Sequence, residues 1–216
     1  ATRQCRTLLT LQREQIFWEF VGGVSRASNE TFALVDRNSS LLSDVSTIYV
    51  HREDGTLLRS FLLKDSVMNV AISSSGKYVT YTWAETRNPS SRWTSDNYLL
   101  AGVIQVDTGE QREFTLFDGS HSPSDKIGYF LSARSIWASD SLFYVMFRGG
   151  YARVDVSTGE VTRVLDDAYP SPGNIAMTAR SDELWFQSPI GNPYGQTIWS
   201  TSLVDGTMKR RSMRSK

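Results

Sequence analysis

The sequence contains few of the residues that form covalent cross-links or bind metals. Among 216 residues there is one cysteine, Cys5, and there are two histidines, His51 and His121. A single cysteine excludes a disulfide within the chain, and one cysteine with two distant histidines is too small a set for a structural zinc site. The chain also has neither a phosphate-binding Walker loop nor the Gly-x-Gly-x-x-Gly pattern of dinucleotide-binding folds. We therefore predict no metal site and no cofactor.

Net charge and long apolar runs are also lacking. The 23 basic residues are balanced by 23 acidic ones, whereas a nucleic-acid-binding surface needs an excess of positive charge to contact phosphates. No apolar run approaches the ~18 residues that span a bilayer as a helix. Nucleic acid is therefore not expected as a partner, and no membrane-spanning segment is expected. Residues 209–216 form a basic tail, which either contacts phosphate groups or guards an edge strand.

Aromatic residues are abundant, and a short motif recurs along the chain. The sequence has six Trp, nine Tyr and ten Phe, residue types that favour strands. The motif VDTGE at 106–110 recurs as VSTGE at 156–160, and weaker copies occur at 53–56 and 204–207. Each copy places a glycine between two β-like runs, which predicts a hairpin turn in which the glycine has a positive φ. These four glycines are Gly55, Gly109, Gly159 and Gly206.

In each unit a second turn, rich in Ser and Asp, lies upstream of the glycine turn. For example, the turn at 73–77 is followed by the apolar run 78–83. The run after each turn is nearly continuously apolar, as expected for a strand that is buried on both faces. Each unit is therefore interpreted as four strands, A to D, and the chain as four units in one domain, 1–216. The predicted units span approximately 8–64, 65–117, 118–167 and 168–213. Strand A of the first unit is expected within 8–21, where 9–20 also fits a short helix.

The segment AISSSGKYV at 71–79, followed by VDTGE at 106–110, resembles a known family. It is similar to the blades of TolB-type and dipeptidyl-peptidase-type propellers, although Ser74 and Ser75 replace the Pro-Asp that is usual there. The expected fold is all-β: a β-propeller of about four four-stranded antiparallel blades, either a complete small ring or part of a larger propeller. The resemblance also implies an extracytoplasmic location, which the residues themselves leave open.

The lengths of the connections between strands predict which side of the propeller carries a binding site. The A–B and C–D turns lie on one side of a propeller, and in this sequence they are short. The longer insertions fall on the other side, at 37–46, 84–98, 118–131, 166–173 and 188–196. Long polar loops on a rigid scaffold are where binding sites commonly occur, and Trp, Tyr and Arg are enriched in interface hot spots. The candidate binding residues on this rim are Arg87, Arg92, Trp93, His121, Asp125, Tyr169 and Tyr194.

Three functions are compatible with this arrangement. The first is a non-catalytic scaffold that binds a protein partner through the long-loop rim, with a partner chain completing the propeller where four blades do not close. The second is the propeller portion of a larger hydrolase or lyase whose catalytic residues lie outside this chain. The third is a carbohydrate-binding propeller that stacks sugars on Trp93 or Tyr194.

No catalytic residue is predicted. His121 lies near Ser120, Ser122 and Asp125, but clusters of Ser and Asp are typical of turns, and no Gly-x-Ser-x-Gly nucleophile motif is present. His51 is expected at the surface, at the end of strand C of the first unit. The acidic pairs at 166–167 and 182–183 lack the spacing of a calcium-binding loop and are expected to be solvated turn residues.

Overall fold

The computed structural model describes residues 21–40, 43–64, 67–87, 96–118, 133–165, 175–177, 182–188, 197–204 and 207–211. The regular structure in these ranges consists of sixteen strands. The first eight are β1 (Val21–Arg26), β2 (Thr31–Ser40), β3 (Ser43–Arg52), β4 (Leu57–Leu63), β5 (Asn69–Ile72), β6 (Tyr78–Arg87), β7 (Asp96–Gln105) and β8 (Gln111–Phe117). The other eight are β9 (Arg134–Ser139), β10 (Leu142–Phe147), β11 (Gly150–Asp155), β12 (Val161–Leu165), β13 (Ile175–Met177), β14 (Glu183–Ser188), β15 (Thr197–Ser202) and β16 (Met208–Arg211).

Each run of four consecutive strands forms one antiparallel sheet, β1–β4, β5–β8, β9–β12 and β13–β16, with the strands in sequential order. The first strands of successive sheets lie side by side: β1 contacts β5, β5 contacts β9, and β9 contacts β13. These four strands are therefore the inner strands A, and each sheet extends outwards from them to strand D. This arrangement is a β-propeller, and the predicted fold of four-stranded antiparallel blades is confirmed.

The repeated glycines make the turns that the sequence predicts. The φ values of Gly55, Gly109 and Gly159 are 93°, 78° and 81°, a region that residues with a Cβ atom rarely adopt. Gly206 lies outside the described residues. The threonine of the repeated motif also has a local role, because Thr108 Oγ1 accepts a hydrogen bond from the backbone N–H of Glu110 at 3.1 Å. The equivalent bond joins Thr158 and Glu160 at 3.3 Å.

Three apolar layers hold the four sheets together. One layer lies between the first and second sheets, one between the second and third, and one between the third and fourth. Large side chains in these layers are fully buried, and each contributes about 1.5–3 kcal/mol relative to an exposed position. Representative members, in the same order, are Ile48 and Tyr81, then Leu116 and Phe143, then Met146 and Phe186.

The fourth and first sheets are not joined in the same way. In the described ranges, no comparable apolar layer connects these two sheets, and β13 does not pack against β1 as the other inner strands pack against each other. The described sheets therefore form an arc that is not closed. Each end of the arc is one face of a sheet: the face of the first sheet turned away from the second, and the face of the fourth turned away from the third.

Two local expectations about the first blade are wrong. Its inner strand is β1, at Val21–Arg26, and not within 8–21; the predicted helix at 9–20 lies outside the described residues. Strand β1 has a glycine-containing pattern but pairs with β2 from Val21↔Asp36 to Arg26↔Phe32. The segment 37–46, expected to be a long loop, is largely strand, because the β2–β3 ladder continues to Ser40↔Ser43. Its polar sequence is compatible with a strand because a ribbon that extends beyond the sheet core needs no apolar face.

Candidate functional site: the central channel and its rim

The inner strands of all four sheets line one cavity of about 550 Å³, which is the central channel. This volume falls in the range of small-molecule sites. The residues that line it from the strands are Ser25 and Arg26 of β1, Asn69, Val70, Ala71 and Ile72 of β5, Arg134, Ser135, Ile136 and Trp137 of β9, and Ile175 of β13.

Hydrogen bonds between neighbouring inner strands fix the channel wall. The backbone N–H of Ile72 donates to Ser25 Oγ at 3.0 Å, which ties the second blade to the first. The indole Nε1–H of Trp137 donates to the carbonyl oxygen of Ala71 at 3.1 Å, which ties the third blade to the second. The Trp137 ring also stacks on Tyr78, with 5.9 Å between the ring centroids. The wall is therefore rigid on the side formed by β1, β5 and β9.

Asn69 presents a fixed amide group in this wall. The backbone N–H and the hydroxyl group of Ser135 both donate to Asn69 Oδ1, at 2.9 and 2.7 Å. Because two donors meet at that position, it must be occupied by the amide oxygen, and the orientation of the amide is determined. No described residue accepts a hydrogen bond from the two N–H groups of Nδ2, since the hydrogen bonds of Asn69 are those that its oxygen accepts.

The channel carries positive charge. Its described lining contains two guanidinium groups, those of Arg26 and Arg134, and no carboxylate. Arg26 is neutralised by an ion pair with Glu53. Arg134 donates from Nη1 to the carbonyl oxygen of Ala133 at 2.9 Å, and no described carboxylate pairs with it. Burial lowers the pKa of the Arg134 guanidinium from its ordinary value.

The two arginines lie at opposite ends of the channel. Arg134 and Asn69 are the first residues of β9 and β5, so they lie on the side where the D–A connections enter. Arg26 is the last residue of β1 and lies beside the A–B turn. The Arg134 guanidinium, which has no described counter-charge, and the Asn69 amide, whose N–H groups have no described acceptor, therefore share the long-loop end of the channel, which we call the rim end.

Two blades carry paired extensions on the same side as the rim end. The β2–β3 and β6–β7 ladders each contain ten residue pairs, whereas the β10–β11 and β14–β15 ladders contain six. Residues 37–40 with 43–45 form the first extension, and residues 83–87 with 96–98 form the second; we call them the two arms. In the described residues, neither arm has a third strand beside it. Each arm is therefore a two-stranded ribbon with unpaired edges.

Most of the predicted binding residues lie outside the described part of the chain. Arg87 is the last residue of β6 and pairs with Asp96 at the end of the second arm, although its side chain is not among those described. The predicted residues outside the described ranges are Arg92, Trp93, His121, Asp125, Tyr169 and Tyr194. The proposal that these residues bind a partner therefore stays a prediction.

His51, expected at the surface, is buried. Only 3% of its surface is exposed, because its direct cross-strand partner is Phe32, whose ring stacks on the imidazole at a centroid distance of 5.4 Å. The imidazole Nδ1 lies 3.2 Å from the carbonyl oxygen of Gly55. A carbonyl only accepts hydrogen bonds, so Nδ1 carries the proton. His51 is therefore part of the packing of the first blade, close to its C–D turn.

Glu183 was also expected to be a solvated turn residue, but it begins β14 and belongs to a cluster on the outer face of the fourth sheet. Arg211 Nη2 donates to Glu183 Oε1 at 2.5 Å, and Trp185 Nε1 donates to Oε2 at 2.9 Å. Hydrogen bonds from Ser200, Trp185 and Arg211, with the one from Ser200 the largest cause, lower the pKa of this carboxyl from 4.5 to about 2. The cluster joins strands that are far apart in the sequence, which is why the sequence pattern did not reveal it.

The described residues contain neither a metal-ligand cluster nor a membrane-spanning helix. No group of three or more His, Cys, Asp or Glu side chains within these ranges is placed to hold a metal ion. No helix in the same ranges is long and apolar enough to cross a membrane.

The fold is similar to that of several solved proteins. Hydrazine synthase of Kuenenia stuttgartiensis matches with a TM-score of 0.60 and 10% identity, over 88% of this chain and 48% of that one. A variant of the apocarotenoid oxygenase of Synechocystis matches with a TM-score of 0.53 and 11% identity, over 88% and 48%. The β-propeller domain of the Trilobed protease from Pyrococcus furiosus, described as having an open velcro topology, matches with a TM-score of 0.51 and 12% identity, over 91% and 58%.

These likenesses show the fold alone, since the identities are low. The chain spans about half the length of the first two proteins. No family model matches the sequence, and no curated protein is similar enough to match it.

Proposed function

We propose that this chain is a protein-binding propeller module that holds its partner on the side carrying the two arms. The observation behind the proposal is that adjacent blades, the first and the second, both extend strands B and C beyond their sheets on that side. With a rise of about 3.3 Å per residue, an extension of four residues projects roughly 13 Å. Two neighbouring ribbons of this length form the walls of a docking surface above the blades.

The backbone of the arms supports a particular mode of binding. A two-stranded ribbon has a row of N–H and C=O groups along each outer edge, and a partner segment can add to such an edge as a further strand. The second arm is anchored at its base, because Trp83 is buried and stacks on Tyr81 at 5.3 Å. Its end carries Arg87 and the connection that contains Arg92 and Trp93. Partner recognition is therefore assigned to the arm edges together with these three side chains.

The test replaces each arm with a two-residue turn. In one variant, Asn-Gly replaces 38–45, so that the paired residues Arg37 and Ser46 flank the turn. In the other, Asn-Gly replaces 86–97 between the paired residues Glu85 and Tyr98. Partners of the unmodified chain are identified by cross-linking and mass spectrometry in native extract, and the affinity for the purified partner is then measured by calorimetry. We expect the double replacement to weaken binding at least about tenfold, which corresponds to about 1.4 kcal/mol.

Arg148→Asn is the matched control, because it creates an Asn-Gly turn at the B–C connection of the third blade, where there is no arm. It should bind the partner as the unmodified chain does. An affinity that is unchanged when both arms are removed, in a variant that keeps its β-sheet circular dichroism, would contradict the proposal.

A second candidate is the propeller portion of a larger hydrolase or lyase. It is favoured by the similarity to the β-propeller domain of a protease, of which this chain covers 58%. Under this alternative the blades position substrates for a catalytic domain elsewhere in a longer protein. The mass of the native protein distinguishes the two candidates, since a product of about 24.3 kDa would leave no room for a catalytic domain.

A further inference from the structure

We propose that the rim end of the central channel binds a small organic carboxylate, with Arg134 and Asn69 holding the carboxylate group. This site is separate from the arms, and it does not depend on the proposed docking of a protein partner. It is formed by β5 and β9, which are linked by the hydrogen bonds from Ser135 to Asn69.

The charge of the channel favours an anion. A partly buried guanidinium without a counter-charge is unfavourable, because desolvation penalises the charged form, and the pKa of Arg134 is lowered for this reason. Arg26 is the other guanidinium of the described lining, and Glu53 already neutralises it. Within the described lining, Arg134 therefore contributes one positive charge that no carboxylate balances. A carboxylate carries one negative charge, whereas inorganic phosphate at neutral pH carries between one and two.

The donors at the rim end suit the shape of a carboxylate. Of the N–H groups of Arg134, one on Nη1 is used for the carbonyl oxygen of Ala133, and the others are available for the paired N–H···O bonds that guanidinium makes with carboxylate. The amide of Asn69 adds two N–H groups whose direction is fixed by Ser135. Binding would give these unpaired donors the acceptors that they lack in the described structure.

The remainder of the described lining mixes hydroxyl groups with apolar residues and holds no second charge that lacks a partner. Ile136, Ile175 and Trp137 line the same cavity together with Ser25 and Ser135. The volume of about 550 Å³ accommodates a molecule of several carbon atoms, since it falls in the usual range of small-molecule sites. The inferred ligand class is therefore a monocarboxylate with an uncharged body of several carbon atoms.

The probe for the test is 3-phenylpropionate, and calorimetry on the whole chain is the measurement. We expect saturable binding of 3-phenylpropionate at one site and no detectable binding of 3-phenylpropanol, which has the same body without the charge. Arg134→Gln should weaken binding at least about tenfold, because it removes the charge-assisted hydrogen bonds to the carboxylate. Arg148→Gln is the matched control, since it removes the same charge from an exposed position on the same side of the third blade, and it should leave the affinity unchanged.

Asn69→Asp is a second, independent variant. The aspartate keeps an oxygen at the position that accepts both bonds from Ser135, so the link between β5 and β9 is retained, but it removes the N–H donors and adds a repelling charge. Binding should be lost, with thermal unfolding little changed. Equal weakening by Arg134→Gln and Arg148→Gln would overturn the proposal, as would tighter binding of inorganic phosphate than of 3-phenylpropionate. The absence of 3-phenylpropionate binding would also overturn it.

Discussion

Glu183 shows how strand pairing changes the chemistry of a single residue. In the sequence it is half of an Asp-Glu pair beside a turn, but in the fold its carboxyl group lies among Ser200, Trp185 and Arg211. The Arg211 guanidinium also lies 5.1 Å above the centre of the Trp185 ring. Each of these partners favours the ionised form of the carboxyl, because each donates a hydrogen bond to it or attracts its charge. The result is a pKa of about 2.

We predict that Ser200→Ala raises the pKa of Glu183 from about 2 towards its ordinary value of 4.5, because the hydrogen bond from Ser200 is the largest cause of the shift. A carboxyl whose pKa is lowered by folding stabilises the folded state above its unfolded pKa, and this contribution is lost as the pH falls from 4.5 to about 2. The carboxyl ¹³C resonance of Glu183, followed by NMR from pH 6 to pH 1.5 (roughly, the range that covers both values), measures the pKa directly. Ser60→Ala, at an exposed position in the first sheet, should not move it. A midpoint near 4.5 in the unmodified chain would contradict the assignment.

At the scale of the element, arginines on the outer strands join the first blade to the second and the second to the third. Arg59 in β4 donates from Nη2 to the carbonyl oxygen of Asp107 in the second blade at 2.8 Å. Arg112 in β8 donates from Nη1 to the carbonyl oxygen of Val156 in the third blade at 3.2 Å. Both acceptors lie at the C–D turn of the next blade. The repeated glycine turn therefore has a second role, since it holds a carbonyl group where the preceding blade can reach it.

We predict that Arg112→Met destabilises the chain by about 0.5–1.5 kcal/mol. It removes one inter-blade hydrogen bond and an exposed ion pair with Glu110, which contributes little, and it keeps most of the apolar stem. Arg59→Met should have an effect of the same size at the seam between the first and second blades. Arg52→Met is the control, since its exposed side chain makes no hydrogen bond or ion pair with the described residues. Urea unfolding followed by circular dichroism gives the three values. Equal stabilities for Arg112→Met and Arg52→Met would show that the bond contributes nothing.

The elements that the sequence predicted well are those bounded by glycine turns. The observed β8 and β12 begin directly after the turns at Gly109 and Gly159, as the repeated motif predicts, because a turn that requires a positive φ fixes where each strand begins. The inner strands were predicted less well, since β1 contains Gly22 and Gly23 and β13 is only three residues long. The arms were missed because their sequences are polar.

The channel site was missed for a related reason. Arg134 and Asn69 are single polar residues at the starts of short inner strands. They belong to different blades, and the pattern within one blade does not show that β5 and β9 place them at the same end of a channel. The only signal was a polar residue at the point where β5 and β9 begin. The rim residues that the sequence did single out are on connections, where no pattern of pairing fixes the position of a side chain.

At the scale of the whole molecule, the blades are joined in series. The second and third sheets are packed on both faces, whereas in the described residues the first and fourth sheets each have an apolar layer on one face only. The opposite face of the fourth sheet carries Trp185, which is 36% exposed. On the opposite face of the first sheet Leu62 is 72% exposed, but Phe32, Leu34 and His51 are buried. In a serial array, the stability of each unit depends on its own packing and on that of its neighbours. The fourth blade should therefore open more readily than the central ones.

We predict that amide hydrogen exchange is slowest in β6, β7, β10 and β11 and at least about tenfold faster in the fourth sheet, where the strands are shortest and one face lacks a described partner sheet. Peptide-level exchange with mass spectrometry measures this order. Leu184→Ala, which removes a fully buried side chain from the layer between the third and fourth sheets, should cost about 2–5 kcal/mol locally. It should accelerate exchange in the fourth sheet and leave the first and second sheets unchanged. Uniform protection of all four sheets would instead mean that the end faces are covered as well, and that the arc behaves as a closed ring.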